Sequence, residues 1–348
     1  MFARFAIIIF VSTFFSYQLF SQGCCSGGSG SPIAGGSSQG VLQKGQMEIG
    51  SNYQYALSSK VFTGSIADTE SQNQINKLYS HYLYLKFAYG ISSKLTVSLE
   101  GGYFFNKEII LNHPENYDNE KKSSGFSDLI IFPKYDIYDH TTENGHTEIT
   151  VGAGIKIPLG KYNDSIFAGT TPALTGIPAR NIYYTLPPLV QPTTGSVDYI
   201  FYSFAFHEFK KKKFRVFANA MYMYKGFNPI GEKFGDYASV GLFAGKTFFR
   251  KVGVTFQLKY EWVDKLIASD DVQGKYSVNP DNTGMKKISF VPQISYNYKQ
   301  FTFFALTDFP FYQNVNGTQI ASQYLTTAGI TYRFMPAKYL WKKSKVGE

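Results

Sequence analysis

The sequence predicts an all-β protein, a transmembrane antiparallel up-and-down β-barrel of about 12 strands with long extracellular loops and short periplasmic turns. Three observations carry this. Thr147, Ile149, Val151, Ala153, Ile155, Ile157 and Leu159 occupy every other position, with Glu148, Thr150, Gly152, Gly154 and Lys156 between them. That period of two marks a strand with one apolar and one polar or small face. Aromatic residues make up 18% of the 348-residue chain and charged residues 17%, where soluble domains carry roughly 25% charged residues. Connections between successive strands alternate in length, long then short, as in outer-membrane barrels.

The chain begins with Arg4 and an apolar run from Phe5 to about Phe20, which reads as a secretory signal peptide over residues 1–21. No later window approaches 18 apolar residues, so a closed barrel is the remaining way to satisfy backbone groups in a bilayer. Cys24 and Cys25 are the only cysteines. Adjacent cysteines cannot staple distant parts of a fold, and the pair has no neighbouring histidine or carboxylate to complete a metal site. Ser21 stands where a lipidation signal at Cys24 wants leucine. Residues 22–45 are rich in Gly and Ser and read as a linker or a partial plug.

Residues 46–334 form the barrel. Met47 to Leu57 opens it, followed by a loop from Ser58 to about Asn76. Leu78 to Tyr89 and Leu95 to Tyr103 pair across a turn at Gly90 to Lys94, and a long loop with Pro114 leads to a hairpin with strands around Leu129–Ile137 and Thr147–Leu159. The longest connection, Lys161 to about Thr194, carries Pro172, Pro178, Pro187, Pro188 and Pro192. Strands over Val197–Phe206, Phe214–Tyr224, Tyr237–Phe249 and Val252–Trp262 follow, then Ile288–Tyr298 and Phe301–Phe311, joined at Lys299 and Gln300. Ile320–Phe334 ends the barrel after a further long loop, at about ten residues per strand. Its closing aromatics, Tyr332 and Phe334, look like the signal that barrel-assembly machinery reads. A basic tail, residues 335–348, continues beyond.

The segments GFSDLIIFPKY (Gly125 to Tyr135) and GAGIKIPLG (Gly152 to Gly160) resemble the outer-membrane β-barrel family associated with the meta-pathway of phenol degradation, itself similar to fatty-acid and aromatic-hydrocarbon channels. The resemblance implies a bacterial outer-membrane location and a leaning towards small hydrophobic or aromatic solutes. It transfers no ligand-contact residues.

On the polar phase of the strands stand Glu48, Asn52, Gln54, Glu100, Asp128, Lys134, Asp136, Glu148, Lys156, Gln257, Lys259, Glu261, Gln293 and Asn297, the candidates for facing the lumen. Their charges either line a watery passage or pair with one another and close it. A barrel of about 8 strands is filled by side chains and one of 16 to 18 leaves an open channel. A passive channel or transporter for small solutes is the expected function, embedded in outer-membrane lipid. A structural or surface-exposed barrel without transport is the competing reading, and a lipid hydrolase on the outer wall is a third. His81 is the only histidine inside an early strand, and no serine motif stands beside it, so no catalytic residue is assigned. Nothing calls for a cofactor or metal. The excess of 34 Lys and Arg over 25 Asp and Glu, net +9, is scattered or in two short clusters and suits interfacial girdles rather than nucleic acid.

Overall fold

The computed structural model describes residues 40–68, 75–112, 120–171, 178–276 and 279–336. The expected signal peptide over residues 1–21, Cys24 and Cys25, residues 22–39, His113, Pro114, Pro172 and the tail from 337 onwards lie outside the described residues.

The chain forms β1 (Met47–Thr63), β2 (Ile66–Asp68), β3 (Ile75–Gly90), β4 (Leu95–Leu111), β5 (Glu120–Phe126), β6 (Asp128–Thr141), β7 (Gly145–Pro158), β8 (Ser165–Thr170), β9 (Asn181–Thr185) and β10 (Asp198–Phe209). It continues with β11 (Phe214–Tyr224), β12 (Tyr237–Phe248), β13 (Val252–Val263), a short helix α1 (Asp270–Tyr276), β14 (Met285–Tyr298), β15 (Phe301–Val315) and β16 (Thr318–Phe334). Twelve strands form the wall, each antiparallel to its sequence neighbour: β1, β3, β4, β6, β7 and β10 to β16. β16 pairs back onto β1 from Met47↔Phe334 to Thr63↔Thr318, which closes the barrel and removes both sheet edges. β2 and β5 extend hairpins beyond the wall, and β8 pairs with β9 within the connection from β7 to β10.

Period-two patterning becomes two faces. Leu85, Phe87, Leu99, Phe256, Leu258 and Phe290 are exposed on the outer wall, while the residues between them point into the barrel. So much apolar surface is untenable in water and matches a lipid-facing band. The wall strands run 11 to 17 residues, longer than the ten or so the sequence suggests. β1 continues through Thr63 where the sequence predicts a loop from Ser58, because Val61 is buried and Lys60 to Thr63 stay paired with β16. The expected long final loop is also corrected: β15 and β16 meet at Asn316 and Gly317 in a tight hairpin, with Gly317 at φ 58°. Strict alternation therefore fails at this last connection, although the two strands part below it: their mutual pairing ends at Asp308↔Leu325, beyond which β15 stays on β14 to Val315 and β16 on β1 to Thr318.

At the opposite rim every connection is short. Phe249 (φ 50°) and Arg250 (φ 59°) take up the left-handed backbone that a tight hairpin requires, and Lys299 (φ 52°) does the same between β14 and β15. The register places Lys210 to Lys213, Lys251 and Lys299 on this short-turn rim.

Candidate lumen site

Five of the nine charged candidates, Glu48, Asp128, Lys156, Lys259 and Glu261, form ion pairs inside the barrel. Lys156 Nζ lies 2.7 Å from Asp128 and 2.8 Å from Asp198, and it also donates to Thr194 Oγ1 at 3.1 Å. Further round the wall, Glu261 accepts from Tyr237 at 2.7 Å and pairs with Lys287 at 2.8 Å and Lys259 at 3.0 Å. Lys259 also contacts Asp308. Towards the short-turn rim, Glu48 pairs with Lys86 at 3.1 Å and Arg333 at 2.6 Å. Glu100 accepts from Tyr84 at 2.6 Å and Ser98 at 2.7 Å.

The remaining candidates sit in hydrogen bonds. Gln54 donates to Asn52 at 3.0 Å, Gln293 reaches Gln257 at 3.4 Å, and Asn297 accepts from Thr302 at 2.7 Å. Asp136 is buried and accepts from the Tyr138 amide at 3.1 Å. Lys134 donates to the Gly40 carbonyl at 3.0 Å, and Glu148 accepts from the Val41 amide at 3.3 Å and Thr150 at 3.0 Å. Leu42, buried, donates its amide to Thr96 at 2.7 Å, and Gly45 donates to the Gly90 carbonyl at 2.7 Å. Residues 40–45 thus cross the short-turn mouth, touching β3, β4, β6 and β7. Gly40 packs closely in this strap: a Cβ there would stand 2.0 Å from Glu148 Oε1, so a larger residue must push that carboxylate off the Val41 amide.

The long connection between β7 and β10 turns inward as well. Leu186 to Val190 and Gln191 are buried, and Lys107 holds the Gln191 carbonyl at 2.7 Å. Thr193 bonds Asp128, so the Lys156 cluster anchors the loop to the wall. Beside it, in the connection after β11, burial brings the Lys225 ammonium down to about 8, with the Asp198 carboxylate opposing the shift. Burial also raises the Glu232 carboxyl, against the Asn228 side chain.

Charge alone misses the apolar interior. Ile200, Met223, Tyr237, Val263, Met285 and Val315 are successive cross-strand partners on β10 to β15, and all are buried. They form a belt inside the long-loop rim. From that belt, Tyr202, Phe204 and Phe206 descend β10 at alternate positions, and Phe132 joins Tyr202 edge-on with centroids 5.9 Å apart. Gly152 and Gly154 of β7 make this contact possible: a Cβ at Gly154 would lie 2.3 Å from the Phe132 ring. The glycines that lighten one face of the strand in the sequence are the floor on which Phe132 rests.

At the foot of the ladder, near the short-turn rim, is a cavity of about 210 Å³. Its lining combines the rings of Phe204, Phe206, Phe217 and Phe304 with the polar side chains of Arg215, Gln293, Ser295, Asn297, Thr302 and Arg333. On the outer wall, His81 is hydrogen-bonded to Tyr53 and ringed by Tyr55 (centroids 5.0 Å) and Tyr79 (5.8 Å). That setting is an aromatic girdle, with no serine hydroxyl among its described hydrogen-bond partners.

No family model matches the chain, and no curated protein sequence matches it. Among solved structures, an outer membrane channel from Pseudomonas putida F1 is similar, with a TM-score of 0.60 at 11% identity, covering 85% of this chain and 97% of that one. The translocator domain of the autotransporter NalP from Neisseria meningitidis aligns with a TM-score of 0.43 at 11% identity, over 84% and 90% of the two chains. The fold is that of a bacterial outer-membrane barrel.

Proposed function

We propose that the protein is a narrow passive channel of the bacterial outer membrane for small solutes with a hydrophobic or aromatic body. The long connections face the outside of the cell and the short turns the periplasm. The observation that carries this reading is the unbroken apolar course along one side of the lumen, from the belt through Tyr202 and Phe204 to the cavity. Paired charges line the rest. An apolar solute gains from such a track without stripping a charged wall of its partners, while the neutralised ion pairs offer little to a free ion. The similar Pseudomonas structure is described as an outer membrane channel, and the resemblance to phenol-pathway barrels leans the same way. Outer-membrane lipid and the assembly machinery are the partners that such a barrel requires.

Planar-bilayer recording on refolded protein tests it. The expected result is a small single-channel current that benzyl alcohol interrupts and glucose does not. A barrel that inserts, remains heat-modifiable on gels and passes no current would be a structural one.

A further inference from the structure

We propose that the cavity at the foot of the aromatic ladder is a binding site for a single-ring aromatic carboxylate. The inference deepens the channel reading, since the lumen is the ligand's route in, but the site itself stands on its own geometry. Its lining joins two chemistries. Phe217 stacks on Phe243 with centroids 4.3 Å apart and an interplanar angle of 16°, and Phe204 lies 6.1 Å from Phe217. These rings are held by one another and present a preformed apolar wall. On the same face of β11, two positions before Phe217, is Arg215, whose Nη2 donates to Thr247 Oγ1 at 2.8 Å and which forms no ion pair among the described residues. A guanidinium has five N–H donors in a planar fork that matches a carboxylate, so most of its capacity is uncommitted. Lys86 and Arg333 share Glu48, whereas Arg215 forms no ion pair with Glu208, its cross-strand partner on β10. No Asp or Glu lines the cavity.

Gly253 borders the cavity beside Arg215, where a Cβ would stand 2.5 Å from Ser295 Oγ and 3.9 Å from Arg215 Nη2. Gln293, Asn297 and Thr302 add side-chain amides and a hydroxyl to the lining. Size narrows the ligand further. A cavity of roughly 150 Å³ accommodates benzene, so about 210 Å³ is enough for one ring with a carboxylate. An uncharged ring fills the apolar half but leaves Arg215 unanswered, and acetate does the reverse.

The test is calorimetric titration of refolded full-length protein in detergent with benzoate, benzyl alcohol and acetate. Benzoate is expected to bind more tightly than either. Arg215→Gln should weaken benzoate roughly ten- to a hundredfold, the range for a hydrogen bond to a charged group, and leave benzyl alcohol unchanged. Arg215→Lys should fall between, and Phe217→Ala should weaken both aromatic ligands. If benzoate and benzyl alcohol bind equally to the wild type, or if heat-modifiable Arg215→Gln keeps full benzoate affinity, the site is not a carboxylate site. The wild-type comparison decides even if a variant does not refold. Benzoate binding to a barrel that passes no current would overturn the channel reading and leave the site. Current without benzoate binding would do the opposite.

Discussion

Replacing Glu261 with Gln should reveal whether the lumen just below the long-loop belt is dry. The carboxylate is buried, accepts from Tyr237 and faces the Lys287 and Lys259 ammoniums at 2.8 and 3.0 Å. Gln keeps the shape and the Tyr237 hydrogen bond while removing the charge. Lys259 then retains Asp308, but Lys287 loses its closest carboxylate. At 2.8 Å the gross attraction is roughly 6 kcal/mol at an effective dielectric of about 20, and about 1.5 kcal/mol in bulk water. Breaking a buried pair from one side costs roughly 3 to 5 kcal/mol, because the remaining charge is left desolvated. The expected loss in a urea refolding titration, followed by heat-modifiable mobility, is in that range. The double variant Glu261→Gln/Lys287→Met should recover most of it. A loss below about 1 kcal/mol, erased by 1 M salt, would refute the reasoning, since only charges bathed in water are screened so readily. The lumen would then be a hydrated pore at this level.

Leu258 is exposed on the outer wall between Leu242 and Phe290, so Leu258→Arg should cost roughly 2 to 4 kcal/mol in lipid refolding if it lies at the bilayer midplane; a neutral result would invert the facing of β13. Gly40→Val should dislodge the strap at the short-turn mouth and raise single-channel conductance with the barrel still heat-modifiable, and unchanged current would show that the strap does not limit flow. Lys225, held at about 8 in the folded protein, has an ordinary value near 10.4 when unfolded. Between those values the unfolded chain binds more protons, so stability should rise with pH by about 3 kcal/mol from below pH 8 to above pH 10.5. The rise should be absent in Lys225→Met, and equal pH slopes for the two proteins would count against the burial argument.

How much of the barrel is legible in the residues varies with what each strand has to hide. β13 alternates cleanly, and its sequence alone places Gln257, Lys259 and Glu261 on one face. β10 does not read that way, because its inward residues, Ile200, Tyr202 and Phe204, are as apolar as its outward Tyr199 and Phe201. That equality hides the aromatic ladder. Lys86, Asp198 and Asp308 escape for the same reason, although a usable signal is present. A lone charge in a strand apolar on both faces must point inward, since the lipid side is far more costly. Arg215, at the start of β11, lies too near the predicted turn to be assigned a face. The strap at 40–45 is legible only as a composition, since Gly and Ser favour a tether and a close-fitting plug alike. The upper end of β15 reads as a long loop because Gln313, Asn314 and Asn316 suit a loop as well as a strand end.

The pairing of β1 with β16 bears on how the molecule reaches its final state. Every other neighbouring pair in the wall follows on along the chain, but here Glu48 and Arg333 are 285 positions apart. Compared with a two-residue hairpin, bringing such distant ends together costs about 4 kcal/mol more in chain entropy. This join is therefore expected to form last and to part first. Until it forms, β1 and β16 both expose unpaired backbone to any passing strand. The Glu48–Arg333 ion pair and the stacked Phe301, Tyr332 and Phe334 rings cluster at one end of the join, where the termini of the two strands meet. Zippering from that end towards Thr63 and Thr318 would draw the two strands shut one residue pair at a time.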